Sequence, residues 1–136
     1  MRILAVDYGE RRTGLAVSDE LGITAQGLDT IVVSDEAELP GLVAHAAEEN
    51  DVGTIVLGLP LNMNGTESEK SLKVRDFGAK LVEITSLNIV FWDERMTTMQ
   101  AHRVMQEMNK KVYRNKEMVD RISATLMLQE YLKTVS

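Results

Sequence analysis

The feature that most constrains this chain is its opening, where two short apolar runs at residues 3–7 and 13–17 are separated only by Tyr8, Gly9, Glu10, Arg11 and Arg12. Runs this short, bounded by turn-forming and charged residues, pair as a β-hairpin. A third strand is expected near residues 28–33. The periodicity then changes: Leu39, Leu42, Val43, Ala46 and Ala47 recur at helical spacing behind a cap at Ser34 or Asp35, with Pro40 disturbing the first turn. Residues 54–57 form a β-branched run of the buried-strand type, ended by Gly58-Leu59-Pro60. The polar loop at 62–65 leads into a helix with a Thr66/Glu69 capping box and with Phe77, Leu81 and Ile84 inward. Residues 89–92 form the next strand, and Thr97 with Gln100 signals a helix carrying Ala101, Val104, Met105 and Met108. Beyond the basic connection at 109–115, Val119, Ile122, Ala124, Leu126, Met127, Tyr131 and Leu132 mark a last helix that is apolar over much of its circumference and therefore deeply packed. A hairpin and third strand followed by alternating helices and strands predict an α/β chain, with a mixed sheet carrying helices on its faces.

At 136 residues the chain is expected to be one domain, 1–136, able to bury roughly 65–70% of the surface its unfolded form exposes. No stretch reads as a linker or an internal repeat. A composition of 44% hydrophobic and 26% charged residues excludes disordered and fibrous classes, and the lack of cysteine excludes disulfides, thiolate metal sites and Cys nucleophiles. No apolar run approaches the roughly 18 residues of a membrane span and no leader pattern precedes the first strand, so a cytoplasmic location without membrane attachment is expected. In that setting Asn64-Gly65-Thr66 reads as a turn rather than a glycosylation site. Fifteen Lys and Arg against 21 Asp and Glu leave a net charge of −6, which argues against indiscriminate coating of nucleic acid. A phosphate-rich partner must meet a local basic patch.

Familiar phosphate-loop, dinucleotide, nucleophile-elbow and zinc-protease motifs are absent. His45 and His102 fall in predicted helices far apart in sequence and read as surface or packing residues. Three acids stand out because each follows or interrupts an apolar segment, where an unpaired carboxylate is costly. Asp7 ends the first strand, Glu94 lies just past the strand at 89–92, and Asp120 sits between Val119 and Ile122. Each has an ordinary reading by itself, as a turn former or a first-turn helix acid. Gathered together, three like charges need a compensating cation, and oxygen-only ligands suit Mg²⁺ or Mn²⁺ and the phosphodiester chemistry such clusters perform.

Asp7-Tyr8-Gly9 with Arg12 and Gly14, continuing Leu15-Ala16-Val17-Ser18-Asp19, resembles the opening of the YqgF family, also called RuvX-like. Gly58-Leu59-Pro60-Leu61-Asn62-Met63-Asn64-Gly65-Thr66, Asp93-Glu94-Arg95-Met96-Thr97-Thr98, and Val119-Asp120 with Ser123-Ala124 and Leu128-Gln129 are similar to its other blocks, in family order. Membership implies an RNase H-like fold, a five-stranded mixed sheet flanked by helices. It also implies a metal-dependent nuclease site carried by Asp7, Glu94 and Asp120. Members are described as nucleases of pre-16S rRNA and, earlier, as candidate Holliday junction resolvases.

On that reading Gly9 allows close approach of the hairpin backbone to a phosphate, and Arg12 and Arg95 are phosphate clamps, with ion pairing to neighbouring acids as the alternative. Asn62 and Asn64 follow a strand end and are placed to touch substrate. Lys110, Lys111, Arg114 and Lys116 surround Val112 and Tyr113 as a positive, base-stacking segment. The expected partner is nucleic acid, with pre-16S rRNA favoured and branched DNA the alternative. The chain would act as a monomer, which suits RNA trimming, or as a homodimer with paired sites for junctions. A non-catalytic nucleic-acid-binding factor in ribosome assembly is the competing class. An ATPase-like nucleotide binder with a similar Asp-x-Gly hairpin usually needs a second lobe, for which 136 residues leave little room.

Overall fold

The computed structural model describes residues 1–97, 99, 103, 104, 106, 107 and 116–135. The opening hairpin forms as expected, with β1 (Arg2–Asp7) antiparallel to β2 (Arg12–Ser18) and with Asp7 opposite Gly14. The third strand, β3 (Ala25–Val32), begins earlier than its β-branched residues suggest. Ala25, Gln26 and Gly27 are poor strand formers held in place by pairing with Ser18, Val17 and Ala16. Beyond it come α1 (Leu39–Glu49), β4 (Val52–Leu59), α2 (Glu69–Ile84), β5 (Asn88–Asp93) and α3 (Lys116–Val135). The sheet order is β3-β2-β1-β4-β5, with β4 parallel to both β1 and β5. This is the expected five-stranded mixed sheet, and β1 and β4 are its interior parallel pair.

Alternation along the strands divides the core in two. Leu4, Val6, Leu15, Val17, Ile55 and Leu57 face α1 and α2. On the other face Ala5, Ala16, Val56 and Trp92 meet Ala124, Met127, Leu128 and Leu132 of α3. That second layer is built on small residues, so α3 lies close to the sheet. A Cβ added at Gly27 would meet Arg121 Cγ at 2.3 Å.

Local details depart from the sequence expectations in four places. Asp35 caps a short 3₁₀ turn (Glu36–Glu38), and α1 starts only after it, with Pro40 in the first turn where the missing N–H has no helical partner to lose. The capping box of α2 is formed by Ser68 and Ser71 rather than Thr66 and Glu69, because the Thr66 hydroxyl is already engaged by Asn64 Oδ1 at 2.6 Å and by Asn62 Nδ2 at 3.0 Å. Val74, Phe77 and Leu81 face inward as the helical period requires, but Ile84 is exposed in the last turn. Helix α3 buries one stripe only, leaving Val119, Ile122, Leu126 and Tyr131 half-buried, so it is a covering helix and not a deeply enclosed one.

Thr97 closes a 3₁₀ turn (Glu94–Met96) capped by Asp93. The Gln100 half of its expected capping box, together with Ala101, Met105 and Met108, lies outside the described residues. Val104 is exposed. Among the described residues no helix is long and apolar enough to cross a membrane.

Candidate active site

Asp7 shares a face of β1 with Ile3 and Ala5, and therefore points to the α3 side of the sheet. Its cross-strand partner Gly14 lets α3 press against the hairpin, since a Cβ there would stand 2.3 Å from the Asp120 carbonyl oxygen and 3.3 Å from the Asp120 Cβ. Asp120 thus lies beside the position opposite Asp7. Glu94 arrives from the far side. It starts the turn after β5, and its Oε1 lies over Gly58 of β4, 2.9 Å from where a Cβ would be, next to Met127 Sδ at 2.6 Å from the same point. Bare backbone at Gly14 and Gly58 brings acids from β1, the β5 turn and α3 to one end of the sheet.

The electrostatics put Asp7 in the middle. Burial raises its pKa most, the Lys70 ammonium lowers it, and the Asp120 charge raises it again. Glu94 is pushed up to about 7, chiefly by burial and next by Asp7, with Lys70 again opposing the shift and Asp93 adding to it. Each carboxylate is poorly tolerated as an anion without added positive charge. Asp120 has its own cation, the Arg12 Nε, which donates to its Oδ2 at 2.9 Å. Among the described residues no three Asp, Glu or His side chains close on a single point as metal ligands in this arrangement. The three acids flank one another, with Asp7 coupled to both.

Other residues singled out in the sequence are engaged within the protein. Gly9 is fixed by the hairpin itself, with the Arg12 carbonyl oxygen 2.1 Å from where its Cβ would be and its N–H donating to Thr13 Oγ1. Arg95 makes a fork on Asp93, with Nη2 to Oδ2 at 2.7 Å and Nε to both oxygens, which lowers the Asp93 pKa. Its Nη1 also reaches the Met63 carbonyl, tying the loop at 62–66 to the end of β5. Within that loop Asn62 donates to Thr66 Oγ1 and the Glu67 carbonyl, and Asn64 accepts from Thr66. Their amides close the loop, with Gly65 at φ +86 completing the turn. His45 lies exposed on α1 beside Glu49, away from the acids. Lys110, Lys111, Arg114 and Tyr113, like His102, lie outside the described residues. Lys116, where α3 begins, is exposed. Lys70, the cation facing two of the acids, was not singled out, because nothing in its neighbourhood in sequence connects it to Asp7 or Glu94.

Comparison with known proteins gives concordant matches. A family model described as "RuvX: Holliday junction resolvase" matches residues 1–134. A protein of Ruminiclostridium cellulolyticum named "Putative pre-16S rRNA nuclease" is 42% identical over 137 residues, covering 100% of this chain and 96% of its own length. A protein of the same name from Koribacter versatilis is 44% identical over 132 residues, covering 97% of this chain and 86% of its own. Among solved structures, Thermus thermophilus RuvC in complex with a Holliday junction substrate superposes with a TM-score of 0.60 at 10% identity, covering 98% of this chain and 96% of that one. At that identity the likeness bears on the fold, which is the RNase H-like arrangement of a mixed sheet and flanking helices.

Proposed function

The chain belongs to the RuvX family, and from that premise we propose that it is a metal-dependent nuclease that hydrolyses phosphodiester bonds of structured RNA, acting on the 5′ end of pre-16S rRNA in the cytoplasm. The observation that carries the reading is the position of Asp7, half-buried at the end of β1 with Glu94 on one side and Asp120 on the other. Raised carboxyl pKa values on two adjacent acids describe a pocket with unmet demand for positive charge. All the donors are hard oxygens, so Mg²⁺ or Mn²⁺ fits the chemistry of the set.

Asp7 and Glu94 are the residues that would hold the cation, and Asp120 would join them through the carboxylate oxygen that does not accept from Arg12. Bound there, a divalent ion supplies Lewis-acid polarisation of a phosphoryl oxygen and a more acidic water at neutral pH. The protein's own contribution is orientation. Gly14 and Gly58 fix the spacing of the acids by letting Asp120 and Glu94 lie against bare backbone, and Arg12 orients Asp120 through Nε while its terminal nitrogens are offered to a phosphate oxygen. In the reaction a water oxygen bonds to phosphorus, the bond to the leaving ribose oxygen breaks, and the water's proton ends on the leaving group or on solvent.

A second reading is cleavage of branched DNA, favoured by the description of the matching family and by the likeness of this fold to a junction resolvase. One experiment separates the two. Purified protein is incubated with a 5′-extended pre-16S rRNA fragment and with a four-way DNA junction, each with Mg²⁺, with Mn²⁺ and with EDTA, and the Asp7→Asn variant serves as control. Metal-dependent shortening of the RNA with an intact junction supports the proposal. The reverse pattern establishes the second reading, and binding of the RNA without cleavage of either substrate points to a non-catalytic assembly factor.

A further inference from the structure

The acids described above lie on the α3 side of the sheet, and a cation stands at the same end of the sheet on the α2 side. Ser68 caps α2, and its hydroxyl also donates to the Pro60 carbonyl at 2.6 Å, fastening the start of the helix to the end of β4. Since β4 lies between β1 and β5 and runs parallel to both, the first turn of α2 starts at the end of the sheet where Asp7 and Glu94 lie. Lys70 is in that turn and is exposed. Further along α2, Lys73, Arg75 and Lys80 pair with Glu10, Glu67 and Asp76, whereas Lys70 makes no ion pair or hydrogen bond among the described residues. A cavity of about 470 Å³ opens beside it, lined by Tyr8, Gly9, Glu10, Glu69, Lys70 and Lys73 and running directly on from Asp7 along the chain.

We propose that this groove is a phosphate subsite, in which Lys70 holds the phosphodiester backbone of the substrate strand next to the bond positioned at Asp7. The inference rests on the nuclease reading for its orientation, but its chemistry is independent of it. An exposed ammonium in the first turn of α2 that makes no ion pair among the described residues, set in a groove that continues from Asp7, is matched by a phosphate oxygen. The groove carries two acids beside its two lysines, Glu10 and Glu69, and its apolar wall is Tyr8, which packs on Phe77 with ring centroids 5.1 Å apart. Lys73 is occupied by Glu10 at the far wall. Lys70 is therefore the cation of the groove that is free to meet a phosphate, and it belongs to a different element from the basic segment at 109–116.

The test measures affinity for a fluorescent single-stranded RNA and for the same sequence as DNA, in EDTA so that no cleavage occurs, over a range of salt concentrations. Lys70→Gln should weaken both by about fivefold and flatten the slope of log affinity against log salt by about 0.7, as expected for one lost backbone contact on a single strand. Lys70→Arg should restore the slope, and the thermal midpoint of each variant should match the parent. An unchanged slope in Lys70→Gln overturns the inference, as does a loss confined to RNA or to DNA. A flattened slope in a protein that cleaves neither rRNA nor junction keeps the subsite and removes the nuclease reading. If the parent binds neither oligonucleotide, both fall.

Discussion

Gly14 and Asp120 are in backbone contact: the Asp120 carbonyl oxygen lies 2.3 Å from where a Gly14 Cβ would stand. Because Gly14 pairs with Asp7, this single contact sets how near α3 comes to the acid on β1. A methyl group at this position meets the Asp120 carbonyl and Cβ, neither the far end of a flexible side chain. Gly14→Ala should therefore cost about 1–3 kcal/mol of stability by overpacking and lower nuclease activity by moving Asp120 outward. Urea unfolding followed by circular dichroism measures the first effect. A variant as stable and as active as the parent would mean that α3 is not held at this distance.

Asp7→Asn separates function from folding. The substitution keeps the shape of the side chain, removes a charge that desolvation and Asp120 both penalise, and deletes a proposed metal ligand. Hydrolysis of rRNA precursor should fall by about a hundredfold or more, while the thermal midpoint at pH 8 stays level or rises. Retained turnover would reject Asp7 as a catalytic residue, and a lowered midpoint would assign it a structural task.

The Glu94 carboxyl makes stability depend on pH in an unusual direction for an acid. Its pKa is about 7 in the fold against 4.5 as the ordinary value, so between those limits the folded chain binds more protons than the unfolded one. Its contribution is intact below about pH 4 and is lost as pH rises to 7. In metal-free buffer Glu94→Gln should consequently be more stable than the parent at pH 8, by about 1–3 kcal/mol. The gap should close by pH 4–5. Melting both proteins across that range checks the sign, and a gap that widens on acidification would show that Glu94 is not held protonated by its surroundings.

The mixed architecture was legible because the hairpin residues and the β4 run carry their periodicity openly, and Asp7, Glu94 and Asp120 stood out as acids against apolar segments. What was not legible depends on competition between neighbours. Thr66 and Glu69 have capping-box spacing, but Asn62 and Asn64 claim the Thr66 hydroxyl, and Ser71 serves where a Glu was expected. The same two asparagines were assigned to substrate, yet their amides close their own loop. Arg12 and Arg95 read as clamps with ion pairing to neighbouring acids as the alternative, and both do pair: Arg95 with Asp93 two residues away, and Arg12 with Asp120, which only the fold brings near from 108 residues away. Lys70 left no trace in sequence because the acids whose charge it offsets stand at the ends of two other strands.

The pairing of Arg12 with Asp120 supplies the last prediction. Side chains of this pair are 39% and 23% exposed, so the ion pair itself is worth less than about 1 kcal/mol of stability. Its value lies in holding Asp120 oriented beside Asp7. Arg12→Ala should accordingly leave the unfolding midpoint almost unchanged and lower kcat by about tenfold, as loss of an orienting partner does. Arg12→Lys should not restore kcat, since an ammonium cannot reproduce the fixed direction of the Nε–H donor. The split between kcat and KM distinguishes this from a residue that merely attracts substrate: a raised KM with kcat intact would make Arg12 a phosphate clamp alone, and its bond to Asp120 incidental.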